Sequence, residues 1–235
     1  MLLALGGAAL AADDHSDWAV AVVAGDWHAH DGSPTEIFDN ARRDVAASLS
    51  GIGFRPVNLA QFSVRAWRYP AAHPANADAR TIAATLAALS NRARSGCLVY
   101  FSSHGGSSGI VLSQSVLSPA QLDGMLSSTC SARPTIVVIS ACYSGVFVNR
   151  LARPNRMIIT AARADRSSFG CSGTEKYPYF DACFLSSIDE TGDFRALAIR
   201  TKRCVARMER LTQMWPPSEP QIFIGNRIAS QLPAW

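Results

Sequence analysis

Short runs that are apolar at all or nearly all positions alternate along the chain with longer stretches whose apolar residues recur every three or four positions. Residues 18–24 (WAVAVVA), 98–101 (LVYF), 135–139 (TIVVI), 157–160 (MIIT) and 221–224 (QIFI) are of the first kind and predict strands. Residues 36–49 are of the second kind, with Ile37, Ala41, Val45 and Leu49 on one helical face. Gly51 and Gly53 end that helix, and 54–59 resumes an extended pattern. Further helices are predicted over 78–94, with Gly96 just beyond, over 119–126 and over 193–214. Strands without a polar face are buried on both sides, as in a parallel sheet covered by helices. The expected fold is therefore a single three-layer α/β/α domain around a mostly parallel sheet, with no internal repeat.

Composition narrows the class. With 48% apolar and 17% charged residues, the 235-residue chain is not a disordered or low-complexity one. One domain of this size buries a substantial core. The charge is mildly basic, +4, and Lys and Arg form no long block of the kind that binds nucleic acid. Arg200, Lys202, Arg203, Arg207 and Arg210 give the last helix a basic surface, but no aromatic platform accompanies it, so it reads as a solvated face. No apolar run reaches the roughly 20 residues that span a bilayer. Residues 2–12 (LLALGGAALAA) are apolar and precede Asp13 and Asp14, and Ala9-Leu10-Ala11 fits a small-x-small cleavage site. This predicts a signal peptide over 1–11, cut at its start because a basic leader is missing, then a mature domain over 12–235. Export to the periplasm or the medium follows.

Two predicted strands end in reactive side chains. One runs into Ser102-Ser103-His104-Gly105-Gly106 and the other into Ser140-Ala141-Cys142-Tyr143-Ser144-Gly145. Open parallel sheets gather their working residues beyond the carboxyl ends of the strands. A thiol needs a proton-transfer partner for acyl transfer, and an imidazole supplies one near neutral pH. Isolated, either residue would read as packing or a satisfied polar group. At equivalent strand ends, the two read as a catalytic pair.

A strand ending in His-Gly, followed by an apolar strand ending in Ala-Cys, resembles the legumain-type cysteine peptidases of the caspase, gingipain and separase superfamily. The likeness extends to the opening strand Trp18-Ala-Val-Ala-Val-Val-Ala-Gly25, to Thr160-Ala-Ala162 with Ser167-Ser168-Phe169-Gly170-Cys171, and to Tyr179-Phe180-Asp181-Ala182. It implies a caspase-like fold and an endopeptidase acting on protein or peptide substrates through a thioester. His104 and Cys142 would be the dyad, and the N–H groups of Gly105 and Cys142 the oxyanion hole. Ser140, Ser167, Ser168 and Asp181 would line the pocket for the residue before the scissile bond. Legumains carry an acid where this chain has Ser140, so the implied asparagine preference is relaxed to a polar one. The family's histidine-orienting asparagine and pocket arginine are sought among Asn40, Arg42 and Arg43. Thiol acyl transfer requires no metal and no organic cofactor. A transpeptidase on the same dyad, or a catalytically silent binding module, are the alternative functions.

Other motifs are weaker. Gly105-Gly-Ser107-Ser-Gly109 formally fits the esterase G-x-S-x-G elbow, but no histidine follows His104 and Ile110-Val111-Leu112 looks extended. His28 and His30 follow the first strand, as in some metal hydrolases, yet too few further ligands exist, so they read as solvated loop residues. Six cysteines in an exported chain predict disulfides. Cys171–Cys183 is expected to close a short loop beside the pocket, and Cys97–Cys130 to form if the strands that follow them are neighbours.

Overall fold

The computed structural model describes residues 15–235, so the predicted signal peptide and its cleavage site lie outside the described residues. In chain order the elements are β1 (Trp18–Ala24), α1 (Ile37–Gly51), β2 (Leu59–Ser63), β3 (Ala75–Asn76), α2 (Ala79–Arg92) and β4 (Gly96–Ser102). There follow β5 (Gly105–Gly106), β6 (Gly109–Leu112), β7 (Ser115–Leu117), α3 (Pro119–Thr129), β8 (Thr135–Ser140) and α4 (Val146–Leu151). The chain ends with β9 (Arg156–Thr160), α5 (Tyr179–Ile188), α6 (Phe194–Leu211) and β10 (Gln221–Ile224). Seven strands form the central sheet in the order β10-β9-β8-β4-β1-β2-β3, all parallel except β10, and β5-β6-β7 form a small antiparallel sheet.

Strands β1, β4, β8 and β9 are buried on both faces, as expected, whereas β10 at the sheet edge is half-buried throughout. Ala19, Ala21, Val23, Val99, Phe101, Val137 and Ile139 face a layer that includes Ile82 and Leu86 of α2, Leu122 of α3 and Phe147 of α4. The alternate residues, among them Val20, Val22, Leu98, Tyr100, Ile136 and Val138, meet Val45 and Leu49 of α1, Phe180 and Phe184 of α5, and Leu197 and Val205 of α6. Helix starts are fixed locally. Asp78 accepts from the N–H of Thr81 (2.9 Å) and Asp193 from that of Ala196 (2.7 Å). Ser118 and Gln121 cap α3 reciprocally, which satisfies two of its orphan donors. Among the described residues no helix is long and apolar enough to cross a membrane.

Three expectations shift. The strand sought at 54–59 lies at Leu59–Ser63, because Pro56, which lacks a backbone donor, opens a 3-10 turn over Pro56–Asn58. Helices α4 and α5 were not foreseen: α4 is less than two turns long, and α5 (YFDACFLSSI) is too evenly apolar to show a helical period. The third concerns the disulfides.

Cys97 pairs with Cys130 at a Cα–Cα distance of 6.1 Å. The expected Cys171–Cys183 bridge does not form; Cys183 pairs with Cys204 (Cα–Cα 5.6 Å), and Cys171 is free. The reason is packing. Cys183 lies on the face of α5 that meets α6, within the core behind the sheet, whereas Cys171 joins a separate apolar group with Ala24, Ile37 and Phe38. Cys183→Ser with Cys204→Ser is expected to lower stability by about 3 kcal/mol. Non-reducing peptide mapping checks the connectivity, and a Cys171–Cys183 peptide would overturn it.

Candidate active site

β4 and β8 are hydrogen-bonded neighbours in parallel, with Ser102 level with Ser140. His104 and Cys142 each stand two residues beyond that last pair, so the register brings both out at the same end of adjacent strands. The turn is tight: a Cβ on Gly105 would lie 2.4 Å from the carbonyl oxygen of Cys142 and 2.9 Å from the Cβ of Ala141. Only glycine lets the His104 segment pass this close to the cysteine backbone.

The loop after β1 steadies the imidazole. His104 Nε2 lies 3.0 Å from the carbonyl oxygen of His28, and Phe38 meets the ring edge-on at 5.0 Å. A carbonyl can only accept, so Nε2 carries a proton and the neutral ring keeps Nδ1 as its acceptor. The supporting carbonyl is itself fixed. Asp26 Oδ1 accepts from the N–H groups of Trp27 (2.6 Å) and His28 (3.1 Å) and pairs with His28 Nδ1 (2.7 Å).

Cys142 sits at a strained turn. Tyr143, directly after it, has a φ of +57°, uncommon for a bulky residue. The Tyr143 N–H donates to the carbonyl of Arg166 (2.8 Å), which ties the turn to the loop between β9 and α5. That loop also reaches the thiol: Cys142 Sγ accepts from the N–H of Ser168 at 3.2 Å, with Ser168 Oγ at 3.5 Å. Burial holds the neighbouring Cys171 thiol well above the usual range, and Cys142 and Asp181 push it the same way. Both effects disfavour the Cys171 thiolate, the nucleophilic form.

Under the strand ends lies a polar knot. Asp181, at the start of α5, accepts from Tyr100 Oη (2.6 Å), Ser140 Oγ (2.7 Å) and Ser102 Oγ (2.9 Å). Its burial is complete, and the lost hydration raises its carboxyl to about 6 against the opposing pull of the three hydroxyls. This corrects the expectation that Ser140 and Asp181 form an open pocket wall. Both are covered, because each spends its polar atoms on the other, and Ser167 and Ser168 are left as the partly exposed members of the set.

Asn40, Arg42 and Arg43 are also displaced from their expected roles. All three lie on α1 and are engaged there. Buried Arg42 donates to Asp39 (2.8 Å) and to Gln61 (2.5 Å), and Arg43 to Asp44 (2.7 Å) and Asn40 (3.1 Å). Asn40 Nδ2 donates to the carbonyl of Lys176 (3.2 Å). The group that meets His104 is instead the backbone of His28, which the sequence reading left in solvent. A main-chain carbonyl has no residue-type signature, so only its position two residues before His30 in the first strand's loop could have pointed to it.

The comparisons agree with this layout. The model of the peptidase C13 family matches residues 74–204, a span that contains His104, Cys142, Ser168 and Asp181. Among solved structures, the chain is similar to caspase-1 from Spodoptera frugiperda, at 13% identity and a TM-score of 0.66 over 96% of this chain and 93% of that one. At that identity the likeness speaks for the fold, which is caspase-like. A search among curated proteins found no match.

Proposed function

The chain belongs to the peptidase C13 family, and is thereby a cysteine-type peptidase; we propose that it is an endopeptidase with Cys142 as nucleophile and His104 as its proton-transfer partner. The observation that carries this reading is the register of β4 and β8, which sets the imidazole and the thiol at one sheet end. The Cys142 thiol gives its proton to His104 Nδ1, and the sulfur adds to the scissile carbonyl. The N–H groups of Gly105 and Cys142 would hold the oxyanion, each worth about 3 kcal/mol of transition-state stabilisation. His104 then protonates the departing amine as the C–N bond breaks and a thioester remains. Water, losing a proton to the same imidazole, releases the acid and restores the thiol.

We assign to the residue before the scissile bond a polar preference that includes asparagine. Ser167 and Ser168, the partly exposed members of the set, support it at the surface. Export with loss of residues 1–11 belongs to the same reading and is supported by the two disulfides. N-terminal sequencing of the exported protein tests it, and an intact Met1 would overturn it.

The central test is covalent labelling. An acyloxymethylketone peptide probe is expected to modify Cys142, identified by mass spectrometry, and to leave Cys171 unmodified. A probe found on Cys171, or on neither residue, would overturn the assignment and favour a silent binding module. Adding a peptide amine to the assay separates a ligase from a hydrolase, since a ligase would return joined rather than cleaved product.

A further inference from the structure

A cleft of about 770 Å³ opens at the sheet end that carries His104 and Cys142, bounded by the loop after β1, the turn after β2 and the loop between β9 and α5. Trp27, Arg65, Trp67 and Gly173 are among its walls. Neither Ser140, Ser168 nor Asp181 contributes to it, so it is distinct from the polar position before the scissile bond.

Three observations mark it as built for a ligand. Trp67 leaves 77% of its surface exposed at the cleft, although burying an indole is among the larger apolar gains a protein can make. Opposite, the guanidinium of Arg65 stacks 5.0 Å from the Trp27 ring, whose other neighbour is the His28 ring at 3.9 Å. Arg65 is 8% exposed, and although it donates to the Thr35 carbonyl (2.8 Å) and pairs with Glu36 (3.2 Å), its Nε–H has no acceptor. A buried donor without a partner costs free energy, so it asks for an explanation.

The charges say what kind of occupant fits. Arg65 and Arg68 share Glu36, and Glu175 is the second acid of the lining, so the walls balance two positive charges with two negative ones and offer flat aromatic and guanidinium faces. An acidic ligand would have to displace Glu36. A neutral aromatic ring stacks without doing so.

We propose that this cleft is a second substrate-recognition site, taking an aromatic side chain of the polypeptide on one flank of the scissile bond. The inference rests on the peptidase reading. What connects the two is the walls: Trp27 precedes His28, whose carbonyl meets His104, and Gly173 lies on the loop that brings Ser168 to Cys142. A chain held between these loops at Cys142 continues into the cleft they enclose with the 64–68 turn. A main-chain carbonyl of the same segment is the acceptor suited to Arg65.

A position-scanning peptide library tests it. At one flanking position, Phe, Tyr or Trp is expected to raise kcat/KM about tenfold over Ala. In Trp67→Ala this ratio is expected to fall to near one, and Trp67→Phe to restore most of it. Trp215→Ala, which removes another exposed indole away from the cleft, is expected to keep the full ratio. A library with no aromatic gain at any position, or a gain that survives Trp67→Ala, overturns the cleft assignment while Cys142 still takes the covalent probe. Failure of the probe on Cys142 overturns the peptidase reading itself, and the cleft assignment with it.

Discussion

Replacing His104 with alanine is expected to lower kcat/KM by about a thousandfold or more, with little change in KM. The reason is the way the ring is held. Its Nε2–H is directed at the fixed carbonyl of His28, so Nδ1 is the one nitrogen left to accept the thiol proton and to return it to the leaving amine. Burial disfavours the thiolate of Cys171, so Cys171 is not expected to stand in for Cys142. Cys142→Ala should therefore abolish turnover. The double variant should be no worse than Cys142→Ala alone, since the two groups act on one proton. Steady-state assays on a peptide ester and the matching amide sharpen the test. The ester leaving group needs less protonation, so the His104→Ala loss should be smaller for the ester. Wild-type amide hydrolysis by His104→Ala would sink the dyad.

The placement of His104 and Cys142 past two strand ends is legible because it depends on two local facts that sequence records: which segments are buried strands, and what stands just past their ends. Uniform apolarity over 18–24, 98–101 and 135–139 identified β1, β4 and β8, and strands buried on both faces must lie inside a parallel sheet. Strand adjacency was not encoded in the same way. That β4 and β8 are direct neighbours, with Ser102 level with Ser140, emerges from the crossover connections.

The partner of His104 is hidden from the sequence for a related reason. Side-chain type points to Asn40, Arg42 and Arg43, but Arg42 is held by Asp39 and Gln61, Arg43 by Asp44, and Asn40 by the Lys176 carbonyl. The imidazole's true neighbour is a backbone atom, whose chemistry is the same at every residue. The disulfide error has a different origin. Cys171 and Cys183 are close in sequence, but the evenly apolar run of α5 carries no helical period, so nothing in it points to a face toward α6 and Cys204. Trp67 carried no periodic signal at all, lying in a 3-10 turn of three residues.

Asp181→Ala is expected to destabilise the protein by about 4 kcal/mol, because it leaves three covered hydroxyls, those of Tyr100, Ser102 and Ser140, without their acceptor. Asp181→Asn is the subtler test. Burial raises the Asp181 carboxyl from 3.8 to about 6, so between those values the folded protein holds a proton that the unfolded chain has released. Stability contributed by that protonation is complete below pH 3.8 and is lost as pH rises through 6, by about 3 kcal/mol in all. Asp44 and Asp78 are shifted downward, so their contributions change at lower pH, while the Glu209 carboxyl, raised by burial, is common to both proteins and cancels in the comparison. Urea midpoints between pH 4 and 7 should fall for the parent and stay flatter for Asp181→Asn; parallel curves would refute the shift. The effect on activity follows from geometry. Ser102 and Ser140 each stand two residues before a member of the dyad, and one carboxylate ties them together. Loosening that tie should displace His104 from Cys142, so Asp181→Ala should lower kcat for every peptide alike. A loss confined to peptides with asparagine before the scissile bond would place Asp181 in contact with substrate instead.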